Sequence, residues 1–372
     1  LLERLSAPEN DLSRLVYDPP YMHQVDSLKH SLINGKNLVI MTGTGSGKTE
    51  SFLLPILGKF AREAKAHPEV FAEQPAMRAL IMYPMNALVN DQLGRLRAML
   101  GDPRLVQTFK GWCGRPPRFA RYTSRTPYAG VRTAKKDGQR LSSFGDFYVD
   151  VLQNAASSDP EKSKEASALL SALRERGKWP AKPDLEAWFG QKGSRWESKG
   201  GFVRAVTLPD DSELLTRHEV QTAPPDLLVT NYSMLEYMLM RPIERPIFDK
   251  TKEWLQKNPD ETFLVVLDEA HLYRGAAGAE VGLLLRRLRD RLGIPEERLQ
   301  VICATASFDD PTYALEFGAQ LSGVHASTFV AVQGTLDLKS DHDAGTDADA
   351  AALAAIDLLA FYEAETEEAR LK

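Results

Sequence analysis

Residues 42–49 read Thr-Gly-Thr-Gly-Ser-Gly-Lys-Thr, set between an apolar run, Leu38-Val39-Ile40-Met41, and a second one beginning Ser51-Phe52-Leu53-Leu54. Strand, glycine loop, helix is the order a phosphate cradle requires, and it commits this part of the chain to an α/β arrangement. Gly43, Gly45 and Gly47 let the backbone adopt torsions that turn successive N–H groups inward. Those amides, with the positive end of the following helix, form a concavity for anionic oxygens. Thr42, Thr44 and Ser46 complete the loop. Lys48 would set a point charge on the β and γ phosphates of a nucleoside triphosphate such as ATP, and Thr49 would offer its hydroxyl to Mg²⁺.

A second apolar run, Phe263-Leu264-Val265-Val266-Leu267, ends in Asp268-Glu269-Ala270-His271. Two carboxylates closing a buried strand are costly unless a cation sits beside them. Phosphoryl transfer asks for positioning, a metal and an oriented water. Asp268 would hold Mg²⁺ together with Thr49, through a coordinated water. Glu269 would orient or deprotonate the attacking water. His271 reads as a reporter of the γ-phosphate region more than as a base. With Lys48, these three residues form the candidate catalytic set.

On these residues the chain resembles the first motor lobe of a superfamily 2 DEAD/DEAH-box helicase, in which the loop commonly opens with Ala or Thr, as Thr42 does. The resemblance extends to other segments in order. Tyr21-Met22-His23-Gln24 is similar to a Q-motif, which implies adenine recognition by Gln24. Tyr83-Pro84-Met85-Asn86-Ala87-Leu88-Val89-Asn90-Asp91-Gln92 resembles motif Ia, and Asp226-Leu227-Leu228-Val229-Thr230-Asn231-Tyr232 resembles motif Ib. Cys303-Ala304-Thr305 resembles motif III with cysteine in place of serine, and implies coupling between the nucleotide and nucleic-acid sites. The stretches YPMNALVNDQ, RYTSRTPYAG and DEAHLYRGAAGAEVGLLLRRLRDRLG resemble the Hrq/Mrf-like DNA helicases and the large helicase subunits of bacterial anti-phage systems such as Druantia and DISARM. This implies a RecA-like lobe that binds ATP and Mg²⁺, tracks one strand of nucleic acid, DNA before RNA, and works in the bacterial cytoplasm in anti-phage defence, with protein partners of a defence system, or in DNA repair. The strand would pass Pro84, Met85, Asn86, Arg121, Thr123, Arg125, Thr230 and Asn231.

Periodicity predicts strands near 37–42, 78–83, 226–230, 263–267 and 299–305. It predicts helices near 23–33, 47–65, 85–100, 231–240, 276–293 and 311–322. The alternation implies a parallel sheet covered on both faces. Residues 1–101 and 224–325 read as two parts of one lobe, 102–223 as an insertion, and 326–372 as an acidic, alanine-rich tail with a helix near 350–370. Within the insertion, Arg104, Lys110, Arg115, Arg118, Arg121, Arg125, Arg132, Lys135, Lys136 and Arg140 are interleaved with Trp112, Phe119, Tyr122 and Tyr128. Cations seat phosphates and aromatic rings stack on unpaired bases; the alternative is a basic segment ion-paired to acidic surface elsewhere. Arg286, Arg287, Arg289 and Arg291 read as a solvated helix face.

The net charge of −5 excludes a broad basic coat for nucleic acid but not a motor with local strand contacts. No apolar run approaches the roughly 20 residues of a membrane span. Two cysteines, Cys113 and Cys303, form neither a disulfide framework nor a four-cysteine metal site. A first residue of Leu1 reads as a fragment or trimmed chain. No second lobe with its arginine fingers is recognisable, so residues 1–372 alone are expected to bind ATP and turn it over very slowly. An RNA-directed DEAH enzyme, an ATP-gated switch and a duplex translocase that does not unwind are the competing readings.

Overall fold

A computed structural model describes residues 1–7, 14–43, 45–190, 195–308, 310–334 and 346–354. The chain divides into one compact unit, Leu1–Gly334, and a second, Thr335–Lys372. Of the second, the described part is a helix at Asp347–Ala354; the remainder of the predicted 350–370 helix lies outside the described residues.

The first unit is built on strands β1 (Asn37–Met41), β2 (Ala79–Tyr83), β3 (Phe119–Tyr122), β4 (Glu197–Ser198), β5 (Gly201–Phe202), β6 (Glu213–Leu214), β7 (Leu227–Asn231), β8 (Phe263–Leu267), β9 (Leu299–Thr305) and β10 (Phe329–Gln333). Its first helices are α1 (Leu2–Ser6), α2 (Met22–Leu28), α3 (Lys48–Ala66), α4 (Pro68–Glu73), α5 (Asn86–Leu100) and α6 (Pro103–Cys113). Then come α7 (Ala134–Ala155), α8 (Pro160–Glu175), α9 (Leu185–Phe189), α10 (Arg217–Thr222), α11 (Tyr232–Met240), α12 (Arg245–Lys257), α13 (Gly275–Leu292) and α14 (Pro311–Ser322).

Eight strands form one sheet in the order β10-β1-β9-β8-β2-β7-β3-β6, and every pairing is parallel. Strands buried on both faces read as continuous apolar runs, which is why β1, β2, β7 and β8 are visible in the sequence. Alternate side chains feed two cores. Val39, Met41, Leu80, Met82, Val265 and Leu267 pack on one face with α11, α13 and α14. Leu38, Ile40, Ala79, Ile81, Leu264 and Val266 pack on the other with α3, α5 and α6. This is the RecA-like, helix-flanked parallel sheet that the motifs imply.

The sheet is wider than the apolar runs indicate. β3 and β6 come from the segment read as an insertion, and β10 from the segment read as tail; β10 pairs with β1 from Asn37–Phe329 to Met41–Gln333. Around β4, β5 and the helices α7 to α9, the segment also has its own core, with Trp179, Trp188 and Phe189 buried. Helix α7 is hidden in the sequence by Gly138 and Gly145. The second is required, because a Cβ there would collide with the Phe189 ring.

Candidate nucleotide site and nucleic-acid face

In a parallel sheet all strands deliver their C-terminal ends to one edge, where ligands bind. Here that edge gathers the segments that the motifs mark. β1 ends in the glycine loop, β8 in Asp268, and β9, which lies between them, in Thr305. Farther along, β2 ends before Pro84, β7 at Asn231 and β3 before Thr123.

Gly45 and Gly47 hold φ of 78° and 81°, the left-handed region that glycine occupies without strain. A Cβ on Gly47 would also collide with the Gln24 amide. Gln24 is buried; its Nε2 donates to the Gly47 carbonyl (3.2 Å) and its Oε1 accepts from the Tyr21 N–H (3.1 Å). It therefore braces the loop from behind. Ser46 Oγ donates to the Gly43 carbonyl (2.7 Å) and tightens the turn. Thr44 lies outside the described residues.

Lys48 and Thr49 open α3 and are both buried. The Lys48 ammonium reaches Glu269 at 2.7 Å and Asp268 at 3.8 Å. Asp268 is 3% exposed, and burial pushes its carboxyl up to about 6 in spite of Lys48. Lys48 thus offsets only part of the cost of burying this carboxylate. Glu269 sits at φ 51°, a left-handed conformation rare for a side chain of its kind, with its N–H donating to Asp268 Oδ1 (2.9 Å). His271 Nδ1 lies 3.5 Å from the Glu269 carboxylate and 3.3 Å from Thr305 Oγ1, so β8 and β9 are joined across the site. Two further buried polar atoms, Thr42 Oγ1 and His23 Nε2, have no partner among the described residues. Burial lowers the His23 pKa, and its ring stacks on Tyr21 at 5.5 Å. Both lie in the Tyr21–Gln24 segment that resembles a Q-motif, and their closeness to Gln24 in the sequence is the signal that points to them.

The coupling segment is narrower than expected. Cys303 and Ala304 point into opposite cores, and burial pushes the Cys303 thiol up to about 12. Thr305 alone turns a polar atom to the site.

Residues 21–119 match the DEAD/DEAH box helicase family model. Residues 21–119 therefore belong to a DEAD/DEAH box helicase domain. The chain is 44% identical over 364 residues to the Druantia protein DruE of Escherichia coli (strain UMEA 4076-1), across 93% of this chain and 19% of DruE. It is 23% identical over 291 residues to an uncharacterized ATP-dependent helicase of Methanocaldococcus jannaschii, across 78% of this chain and 26% of that protein. It thus spans about a fifth to a quarter of these relatives' length. The structure of the helicase MrfA bound to DNA superposes with a TM-score of 0.42 at 19% identity, over 84% of this chain and 25% of that one.

On the other half of the sheet edge, Asn231 Nδ2 donates to Asn86 Oδ1 (2.6 Å), and Asn86 Nδ2 donates to Ser124 Oγ (3.4 Å). Met85 and Arg125 are exposed, and Pro84 and Arg121 are half-buried. Thr123 and Thr230 are not available as strand contacts. Both are buried: Thr123 Oγ1 accepts from the Arg125 N–H (3.2 Å), and Thr230 Oγ1 donates to the Tyr122 carbonyl (2.6 Å). They shape the loop from beneath.

The basic and aromatic stripe likewise disperses. Arg104 pairs with Asp102 (2.9 Å), Arg115 with Asp226 (2.7 Å), Arg132 with Asp137 (2.6 Å) and Lys110 with Asp210 (2.8 Å). Phe119, Tyr122 and Tyr128 are core residues. Arg121, half-buried, and Arg125, exposed, lie beside the asparagine pair. No helix among the described residues is long and apolar enough to cross a membrane.

Proposed function

We propose that this lobe binds ATP with Mg²⁺ on the glycine loop and couples its hydrolysis to movement along a single strand of nucleic acid, DNA in preference to RNA, within a bacterial cytoplasmic anti-phage helicase. The observation that carries the reading is the Lys48 ammonium held between Glu269 and Asp268 at the edge where the loop opens.

Thr42, Gly43, Gly45, Ser46 and Gly47 would cradle the phosphates, and Lys48 would exchange its carboxylate partners for them. Gln24 would read the adenine. No group of three or more His, Cys, Asp or Glu side chains is arranged to hold a metal ion by itself among the described residues. A cation here would rest on Asp268, Thr49 and phosphate oxygens, the sparse set that Mg²⁺ accepts. When bound, Mg²⁺ neutralises charge on the transferring phosphoryl oxygens. Glu269 would orient the attacking water, with His271 and Thr305 sensing the outcome. The strand would run over Pro84, Met85, Asn86, Arg121 and Arg125, with the buried Asn231 holding Asn86 in place.

In the full-length protein, Lys48→Ala is expected to abolish ATPase stimulated by single-stranded DNA. Persistence of that activity would show that the cradle is misassigned. Comparing DNA with RNA as the stimulant tests the substrate, since the 2′-hydroxyl distinguishes them.

A further inference from the structure

A cavity of about 490 Å³ opens between the sheet edge and α7. Asn90, four residues along α5 from Asn86, forms part of its wall, so it adjoins the asparagine pair described above. Its volume is within the roughly 300–1,000 Å³ of sites for small organic groups.

The wall has two chemistries. The first is uncompensated positive charge. Glu213 is saturated by Arg97, at 2.8 Å to each oxygen, and by the Ala181 N–H. Arg121, Arg125 and Lys178 also line the cavity, and none has a carboxylate within ion-pair reach among the described residues. Arg121 is the costly one. It is half-buried, and its guanidinium donates only to Asn90 Oδ1 (2.7 Å) and, at 3.5 Å, to the Arg125 carbonyl. Burial, with Arg97 and Arg125 nearby, lowers its pKa against the pull of Glu213. A desolvated cation without a counter-charge calls for an anion.

The second chemistry is aromatic. Phe144 and Tyr148 of α7 are half-buried in the opposite wall, edge to face at 5.2 Å. Trp179 backs Tyr148 at 5.2 Å and 86°, which holds its ring in place. A phosphate alone has no use for rings, and an apolar ligand has none for three cations. A nucleotide, with an anion at one end and a flat π-face at the other, uses both.

We infer that this cavity receives one nucleotide of the bound strand, its phosphate toward Arg121 and Arg125 and its base unstacked against Tyr148 and Phe144. The inference rests on the strand-tracking reading and can fail separately from it. It also gives α7, which belongs to no helicase motif, a part in holding the strand.

The test uses full-length protein and a single-stranded oligonucleotide held in one register by a terminal hairpin. A single abasic site is walked along the strand, and affinity is read by fluorescence anisotropy. One position is expected to lose roughly tenfold, with its neighbours nearly unaffected. Phe144→Ala with Tyr148→Ala should weaken the intact strand by a similar factor and flatten the abasic profile. Tyr148→Phe, which keeps the ring, should preserve both. Because the abasic walk alters only the ligand, it reads the pocket even where a variant folds poorly. A flat profile in wild-type protein that binds the strand normally overturns the pocket and leaves strand tracking intact. Absence of strand binding, together with binding of free deoxynucleoside monophosphate that the aromatic variant loses, reassigns the cavity to a free nucleotide and overturns the inference. Binding of neither overturns both readings.

Discussion

Asp268 shows how one side chain can report the state of the site. Its ordinary value of 3.8 is raised to about 6, because burial outweighs the attraction of Lys48. Between those values the folded chain holds this proton more tightly than the unfolded chain. This group's contribution to stability therefore falls as pH rises through that window and is level above it. Metal binding has the opposite sign, since it requires the ionised form. Binding of a fluorescent ATP analogue in Mg²⁺ is expected to be about fourfold weaker at pH 5.5 than at 7.5 through this one titration. Asp268→Asn should bind weakly at both and show little pH dependence; an unchanged pH profile in that variant would assign the titration elsewhere. Cys303 illustrates the converse. It is next to β1 in the sheet, at Val39, yet its thiol points into the core. Motif spelling located the segment, but a single strand residue's facing depends on register, which the spelling does not carry.

At the scale of elements, the ends of strands opposite the site are fixed by one acid. Asp226, just ahead of β7, accepts from Arg78 at the head of β2 (2.9 Å), from Arg115 (2.7 and 2.9 Å) and from the Arg118 N–H before β3 (2.7 Å). Arg78 also makes paired bonds to Glu63 of α3 (2.7 and 2.8 Å). Despite burial, the two guanidiniums hold the Asp226 carboxyl below its ordinary range. Asp226→Ala would leave buried cations short of a partner and is expected to cost about 3–5 kcal/mol, read from urea unfolding. A loss below about 1 kcal/mol would mean that water replaces the carboxylate there. The same network explains what was hard to read. Arg115 and Arg104 look like strand-binding cations in a chain with many basic residues between 104 and 140, because composition cannot distinguish a buried partner from a phosphate. The central strands were legible since burial on both faces leaves an apolar run. β3, β6 and α12 were not: two strands are short, and Pro246 at the start of α12 reads as a breaker although a first helical turn tolerates it.

The first unit as a whole sets the two proposed sites, for nucleotide and for strand, on neighbouring halves of one sheet edge. The nucleotide half spans β1, β9 and β8, and the strand half spans β2, β7 and β3; β8 and β2 are hydrogen-bonded neighbours, so no gap separates them. Each half has its own cross-strand link. On one side Glu269, His271 and Thr305 are in line at 3.5 and 3.3 Å, and on the other Asn231, Asn86 and Ser124 at 2.6 and 3.4 Å. A close-packed sheet has low compressibility and transmits strain, so a change in one loop can reach the next. Thr305 is the place to test this. Its N–H-side neighbours are core residues, its carbonyl accepts from the Thr42 N–H (3.2 Å), and its hydroxyl meets His271, so it touches both the glycine loop and the acidic segment. In full-length protein, Thr305→Ala is expected to leave affinity for ATP within about twofold while weakening the stimulation of ATPase by a strand, by a coupling loss of about 0.5–2 kcal/mol. Linkage adds an equilibrium check: whatever factor is lost from the effect of ATP on strand affinity must also be lost from the effect of the strand on ATP affinity. Equal stimulation in the two proteins would place the coupling outside the β9 end, and a matched loss of ATP affinity would make Thr305 a binding residue instead.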